Sequence, residues 1–548
     1  MALPKLLVAV LLALVLPGIA HAGLLGYQGD RRLAQSTVPA AGGDSMLVMV
    51  APRDGYATGQ VAVTSGGGML QWGEDAPSAL TSRTTFALVA QTRVRGRLVP
   101  DPLPPVSGGQ VPGPAVVFVR IETGGLAAGL YRGTLWIGQE SIPVALTVSS
   151  WAMPSRTQGF RTLFLVQPQT YFERVDPGNA LRAAQQGNRA FFDLLSRYRI
   201  APGDWGYGSP TPSGYVEGGA WDARRATLMR TQAAPGFNTL RIPLSTQHQA
   251  GQAWLGKASP YAPAAWKPWL SLVRPFWQRN GWTDRAVAWT WDEPGPKESR
   301  LVAQQATALH AGFPEAKVLS TVSPLPGNRY LRDGGADDLD VWAVLARRFY
   351  GTYGRPRAAY VGIRELRARG KELWSYTYHG VAGSPGFDAT EPLTDTRMFF
   401  AWNAIEGTAG TLYSDGLARY KGSDPWQALP DDGQSVFLYP GTPARPAPVP
   451  SLRLEALRDG VQDADLFLAY ARVYGRAGLV RLLAQHGLFR ATARGELQLG
   501  CTSGCELRTL TKYAWPVWRR DEAAASTGLF RARTQALFTL GAAQPPAR

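Results

Sequence analysis

Cysteine is nearly absent from this chain of 548 residues: only Cys501 and Cys505 occur, in the string Cys-Thr-Ser-Gly-Cys. Two thiols without a neighbouring histidine do not make a structural zinc site, and five scattered histidines argue against a histidine-based centre. No metal and no organic cofactor are expected. Beyond the first 22 residues there is no long uncharged apolar run, so no later membrane-spanning helix is expected. Basic runs interleaved with aromatics are also missing, which argues against nucleic acid as a partner.

The N-terminus reads differently. Lys5 is followed by the apolar stretch Leu6 to Ala20, and Ala20-His21-Ala22 precedes Gly23. This is the pattern of a secretory signal over residues 1–22 with a small-residue cleavage site; a retained anchor is the alternative. No cysteine follows the cleavage point, so lipid anchoring is not expected. The mature protein is expected to be soluble and secreted or periplasmic, with no integral membrane segment. In that oxidising setting Cys501 and Cys505 read as a small-loop disulfide. Net charge is +16, with arginine well above lysine, which favours an anionic glycan or surface or reflects an arginine-rich composition. Eighteen tryptophans and twenty tyrosines suit either a carbohydrate-handling protein or large β-rich cores.

Three stretches follow the signal. Residues 23–152 are short β segments broken by glycine and proline, such as Val116 to Ile121 and Gly129 to Trp136, and predict a β-sandwich that braces its neighbour or binds sugar. Residues 153–449 alternate strand-like and helix-like runs about eight times, which predicts a (β/α)8 barrel. An open doubly wound sheet is the competitor, but no glycine-rich phosphate loop follows its first strand. Residues 450–548 predict a helical extension, with apolar positions of Leu452 to Leu457 at helical spacing.

In a barrel, chemistry gathers at the C-terminal ends of strands. Those ends carry Gln167 and Tyr171; Asp204, Trp205 and Tyr207; Gln247 and His248; Asp292 and Glu293; Ser323; Arg347 and Arg348; Tyr376, Tyr378 and His379; Tyr413 and Asp415. The sharpest is Ala286-Val287-Ala288-Trp289-Thr290-Trp291-Asp292-Glu293-Pro294, a strand pattern stopped by proline and tipped with two acids amid tryptophans. Paired carboxylates can divide acid and base roles on a sugar, whose apolar faces stack on rings. A helix N-cap with a first-turn acid is the plainer reading. Trp374, Tyr376 and Tyr378 share one strand face, and with Trp205, His248, Trp291, His379, Tyr413 and Asp415 they make up the candidate substrate contacts; Trp374 also reads as core and Asp415 as a helix cap. Arg453, Glu455, Arg458, Asp459 and Asp463 read as structural ion pairs.

Several of these strings resemble one family. Trp291-Asp292-Glu293-Pro294 with Phe313-Pro314-Glu315-Ala316-Lys317 is similar to the catalytic strand region of glycoside hydrolase family 123. So are Trp374-Ser375-Tyr376, Ala401-Trp402-Asn403, Gly410-Thr411-Leu412-Tyr413 and Asp424-Pro425-Trp426. The most specific piece is Leu438-Tyr439-Pro440-Gly441 followed by Pro450-Ser451-Leu452-Arg453-Leu454-Glu455-Ala456-Leu457-Arg458-Asp459-Gly460. The resemblance implies a (β/α)8 glycosidase acting on β-linked N-acetylhexosaminides. Retention would come from attack by the substrate's own acetamido oxygen, one of the departures from the two-carboxylate scheme. By position, Asp292 would orient the acetamido group, Glu293 would act as general acid and base with its pKa raised by apolar walls, and Tyr378 would donate to the acetamido carbonyl. The glycine-rich segment Gly380 to Asp388 departs from the family's aromatic surroundings. Two rivals remain: a hydrolase or lyase acting on an anionic exopolysaccharide, suggested by Arg347-Arg348, and a non-catalytic glycan-binding envelope protein.

Overall fold

The computed structural model describes residues 23–33, 43–203, 223–242, 263–294, 298–322, 338–349, 356–377, 386–501, 514–516 and 521–543. The chain divides into two compact units. Residues 1–22, expected to be a signal, lie outside the described residues, and none of the described helices is long and apolar enough to cross a membrane.

The first unit takes residues up to Val89 and then Pro104–Ser149. It holds two antiparallel sheets, one of four strands and one of five. One core cluster draws Leu24, Val61 and Val117 from the smaller sheet and Leu47, Leu135 and Ile142 from the larger. Gly138, at φ +62°, turns the strand Gly129–Ile137 into Glu140–Ala152, a backbone conformation that glycine adopts without steric penalty.

The second unit contains a parallel sheet of seven strands: β1 (Arg161–Phe164), β2 (Leu240–Arg241), β3 (Ala286–Trp289), β4 (Lys317–Ser320), β5 (Val341–Leu345), β6 (Glu372–Thr377) and β7 (Gly410–Tyr413). Their order is β1-β7-β6-β5-β4-β3-β2, a nearly closed barrel. Beside β1, on the side away from β7, residues 200–203 form one parallel bridge, Phe164 with Pro202, and residues 204–222 lie outside the described residues. Strands buried on both faces must be apolar throughout, and β3 and β5 are buried at every position. Inside the barrel Leu163, Val287, Trp289, Leu319, Ala343, Leu345, Trp374 and Leu412 pack together.

Helices follow the strands: α1 (Pro168–Val175) and α2 (Ala180–Arg197) after β1, α3 (Ala223–Ala233) before β2, α4 (Pro263–Arg279) after β2, α5 (Ser299–Gly312) after β3, α6 (Pro356–Ala368) after β5 and α7 (Leu393–Glu406) after β6. The long α8 (Leu452–Gln485) follows β7, capped by Ser451, whose hydroxyl accepts from the Leu454 N–H at 3.1 Å. It packs directly on α7: a Cβ on Gly460 would lie 2.3 Å from Phe400 Cδ2. The last described helix is α9 (Glu522–Ala543).

The charged run at the start of α8 is buried and paired within this unit. Arg453 binds Asp101 through two bonds, Nε to Oδ1 at 3.0 Å and a terminal nitrogen to Oδ2 at 2.8 Å, while the Tyr439 hydroxyl donates to the same carboxylate at 2.8 Å. Arg458 pairs with Glu455 at 2.9 Å, and Arg397 with Asp463 at 2.7 Å. Asp101 belongs to residues 90–103, which group with the second unit although the chain on either side of them forms the first.

Candidate active site

The end of β3 is fastened residue by residue to the end of β4. The Thr290 N–H and hydroxyl both donate to the Leu319 carbonyl, at 2.8 and 3.0 Å. The Ser320 hydroxyl donates to the Trp291 carbonyl at 2.8 Å. The Thr321 hydroxyl donates to Asp292 Oδ1 at 2.8 Å and accepts from the Glu293 N–H at 2.7 Å. Glu293 lies in the left-handed region at φ +47°, a conformation costing a non-glycine residue on the order of 1–3 kcal/mol and found most often where function demands it. The two acids therefore stand side by side at the C-terminal end of a barrel strand. The plainer reading of the pair, as cap and first turn of α5, does not describe them: α5 starts at Ser299 with Glu298 at its N-cap.

Tyr376, on the inner face of β6, donates its hydroxyl to Glu293 Oε1. Burial pushes its phenol well above the ordinary range, and the charge of Glu293 and the bond to it push further the same way, against the opposing charge of Arg348. Tyr376 thus remains a neutral donor across the working range of pH. This places the ring against the acid, while Asp292 and Arg348 are close enough for their charges to act on its hydroxyl. Glu293 itself is exposed, and the apolar enclosure that the resemblance implied is not formed by the described residues. Trp289 and Trp291 are buried, and the Arg241 guanidinium lies 5.1 Å from the centre of the Trp289 ring while donating to the Gly203 carbonyl at 2.5 Å.

Two expected substrate contacts are core residues instead. Trp374 is 0% exposed, in the barrel interior below Tyr376, with its indole N–H donating at 2.8 Å to Glu372 at the strand's N-terminal end. Tyr413 is 1% exposed, packed against Phe387 and Phe437 with its hydroxyl donating to the Gln434 carbonyl at 2.5 Å. On β7 it is Leu412 that joins the barrel interior, so Tyr413 takes the opposite face. Asp415 is half-buried just past β7; after burial itself, its charge and that of Asp388 raise the Tyr413 phenol. Trp205, His248, Tyr378 and His379 lie outside the described residues, as do Asp204, Tyr207, Gln247 and Ser323. Cys501 ends a short strand, Leu499–Cys501, and Cys505 lies outside. Among the described residues no group of histidine, cysteine and acidic side chains could hold a metal ion. The residues that sequence reading passed over are Thr321 and Arg241. Arg241 ends β2 and Thr321 lies just past β4.

Sequence comparison finds no matching family profile and no matching curated protein. Among solved structures the fold is similar to that of a family 123 glycoside hydrolase from Clostridium perfringens, whose structure addresses glycolipid glycan hydrolysis. The TM-score is 0.64 at 11% identity, over 95% of this chain and 99% of that one. A glucosidase from Croceicoccus marinus matches with a TM-score of 0.30 at 13% identity, over 57% of this chain and 68% of that one. β-Glucuronidase 2 of Bacteroides uniformis matches with a TM-score of 0.27 at 11% identity, over 76% and 49%. The last two scores carry no argument. The first shows a likeness of fold along nearly the whole chain, and the resemblance read from Trp291 to Pro294 and from Leu438 to Gly460 stands at that level.

Proposed function

We propose that this protein is a glycoside hydrolase in which Glu293 is the general acid and base and Asp292 its partner. The observation that carries this reading is the placement of both acids at the end of β3, with the neutral Tyr376 hydroxyl on Glu293, in a fold similar to that of a family 123 enzyme. Catalytic residues of such barrels come from strand ends at this face. The finer reading follows the sequence resemblance: a retaining, substrate-assisted enzyme for β-linked N-acetylhexosaminides, secreted or periplasmic, with a β-sandwich ahead of the barrel and a helical extension behind it.

In the first step the substrate's acetamido oxygen attacks the anomeric carbon as the glycosidic bond breaks. Glu293 gives its proton to the departing oxygen, and Asp292 steadies the positive charge on the acetamido group. In the second step Glu293 takes a proton from water, which opens the oxazolinium ring with net retention. Tyr376 holds one Glu293 oxygen throughout, keeping the carboxyl in one orientation.

The test is Glu293→Gln in the full mature chain, assayed on chromogenic β-N-acetylhexosaminides. Turnover is expected to fall by about three orders of magnitude or more, with an unchanged thermal melt. Hydrolysis at the wild-type rate would end the assignment. A wild-type protein active on uronic-acid polymers but not on aminosugars would move the reading to an anionic exopolysaccharide.

A further inference from the structure

We infer that Thr321 is a positioning residue for the acid pair, a role that rests on the reading of Asp292 and Glu293 as the reacting carboxyls. Thr321 is 2% exposed, and one oxygen serves both acids: it accepts from the Glu293 N–H at 2.7 Å and donates to Asp292 Oδ1 at 2.8 Å. A hydroxyl has a single proton. Because the Glu293 N–H is itself a donor, that proton is committed to Asp292, and the Asp292 carboxyl is held where the Thr321 oxygen points.

The same oxygen holds the strained backbone. Glu293 leaves ordinary extended geometry for φ +47°, and the Thr321 oxygen meets the amide that this turn presents. A β-branched side chain has few χ1 choices, which limits where the hydroxyl can point. The Thr290 and Ser320 bonds hold the main chain just before the acids. Thr321 alone among these bonds an acid side chain and the displaced amide together. It meets the pair at Asp292 Oδ1 and at the Glu293 amide, and its effect on the chemistry passes through those two acids.

The experiment compares Thr321→Val, which keeps the shape and loses the oxygen, with Thr321→Ser, which keeps the oxygen. Expected for Thr321→Val is a fall in kcat of roughly 10- to 100-fold with KM changed by less than about threefold, since misplacement of about an ångström costs that much. Thr321→Ser is expected to stay within about threefold of wild type. In a crystal structure of Thr321→Val, Glu293 is expected to leave the left-handed region or Asp292 to turn away. Should Thr321→Val fail to fold, Thr321→Ala carries the same comparison. Wild-type kcat in a folded oxygen-free variant, or an unmoved Glu293 and Asp292 in its crystal structure, would overturn the inference. If the wild-type protein itself cleaves no aminosugar, the functional reading fails, while the crystal comparison still decides whether Thr321 positions the pair.

Discussion

Glu293 and Tyr376 form a contact between an exposed acid and a buried phenol, and the partners are unequal. The phenol cannot give up its proton, because burial and the adjacent acid both oppose ionisation. It is therefore a fixed donor, and the pH dependence of catalysis is carried by other groups. Tyr376→Phe is expected to lower kcat by about 10- to 100-fold while leaving both limbs of the pH–rate profile present, since the deleted hydroxyl does not titrate in that range. A profile that loses a limb in Tyr376→Phe would show that the phenol does titrate. Residue-scale reading of the sequence reached these partners unevenly. Asp292 and Glu293 were legible because two acids interrupt an apolar run. Thr321 was not, because a threonine at a strand end is ordinary until the register of β4 against β3 is known.

At the scale of elements, strand and helix positions could be read closely. The alternation of strand-like and helix-like runs read over residues 153–449 is met by β1 to β7 and the helices between them. What could not be read was depth and phase. Trp374 and Tyr376 share a face, yet two residues along a strand, about 7 Å, separate a core ring from one that reaches Glu293. Tyr413 lies in a strand apolar on both faces, where alternation does not say which face is inward. The junction of α5, β4 and β5 carries its own titration. His310 Nε2 lies 2.9 Å from Asp340 Oδ2, which also accepts from the Val318 N–H at 2.8 Å, and the bond to Asp340 raises the imidazole above its ordinary value. A raised folded-state value means that the native protein holds this proton more tightly than the unfolded chain does. The stabilisation is full below the unfolded value of about 6.5 and is lost as pH rises through the folded one. Melting temperature measured from pH 5 to 9 is expected to fall less steeply over that window in His310→Gln than in wild type. Identical slopes would remove the pair from the account.

Across the whole molecule, one buried ion pair in the second unit joins distant stretches of chain. Asp101 and Arg453 are 352 residues apart in sequence and are both fully buried, with Tyr439 completing the carboxylate's partners. Removing one member of such a pair leaves a charge stranded in the interior. Arg453→Met is therefore expected to destabilise the second unit by about 3–5 kcal/mol, read as a lower denaturant midpoint for its unfolding transition. A midpoint within error of wild type would show that Asp101 finds other compensation. The run Arg453 to Asp463 was legible as structural ion pairs from sequence, and Glu455 with Arg458 does pair along the helix, whereas Arg453 and Asp463 reach off it to Asp101 and Arg397. Asp101 was not legible as a partner, because residues 90–103 sit between segments of the first unit in sequence.

That placement has a bearing on how the chain is made. A ribosome delivers Asp101 early and Arg453 only after the rest of the barrel has emerged, so a nascent chain must carry an unmatched acid through most of its synthesis. A gene fragment meant to yield the second unit alone thus has to begin no later than Ala90, or Arg453 is left without its acid.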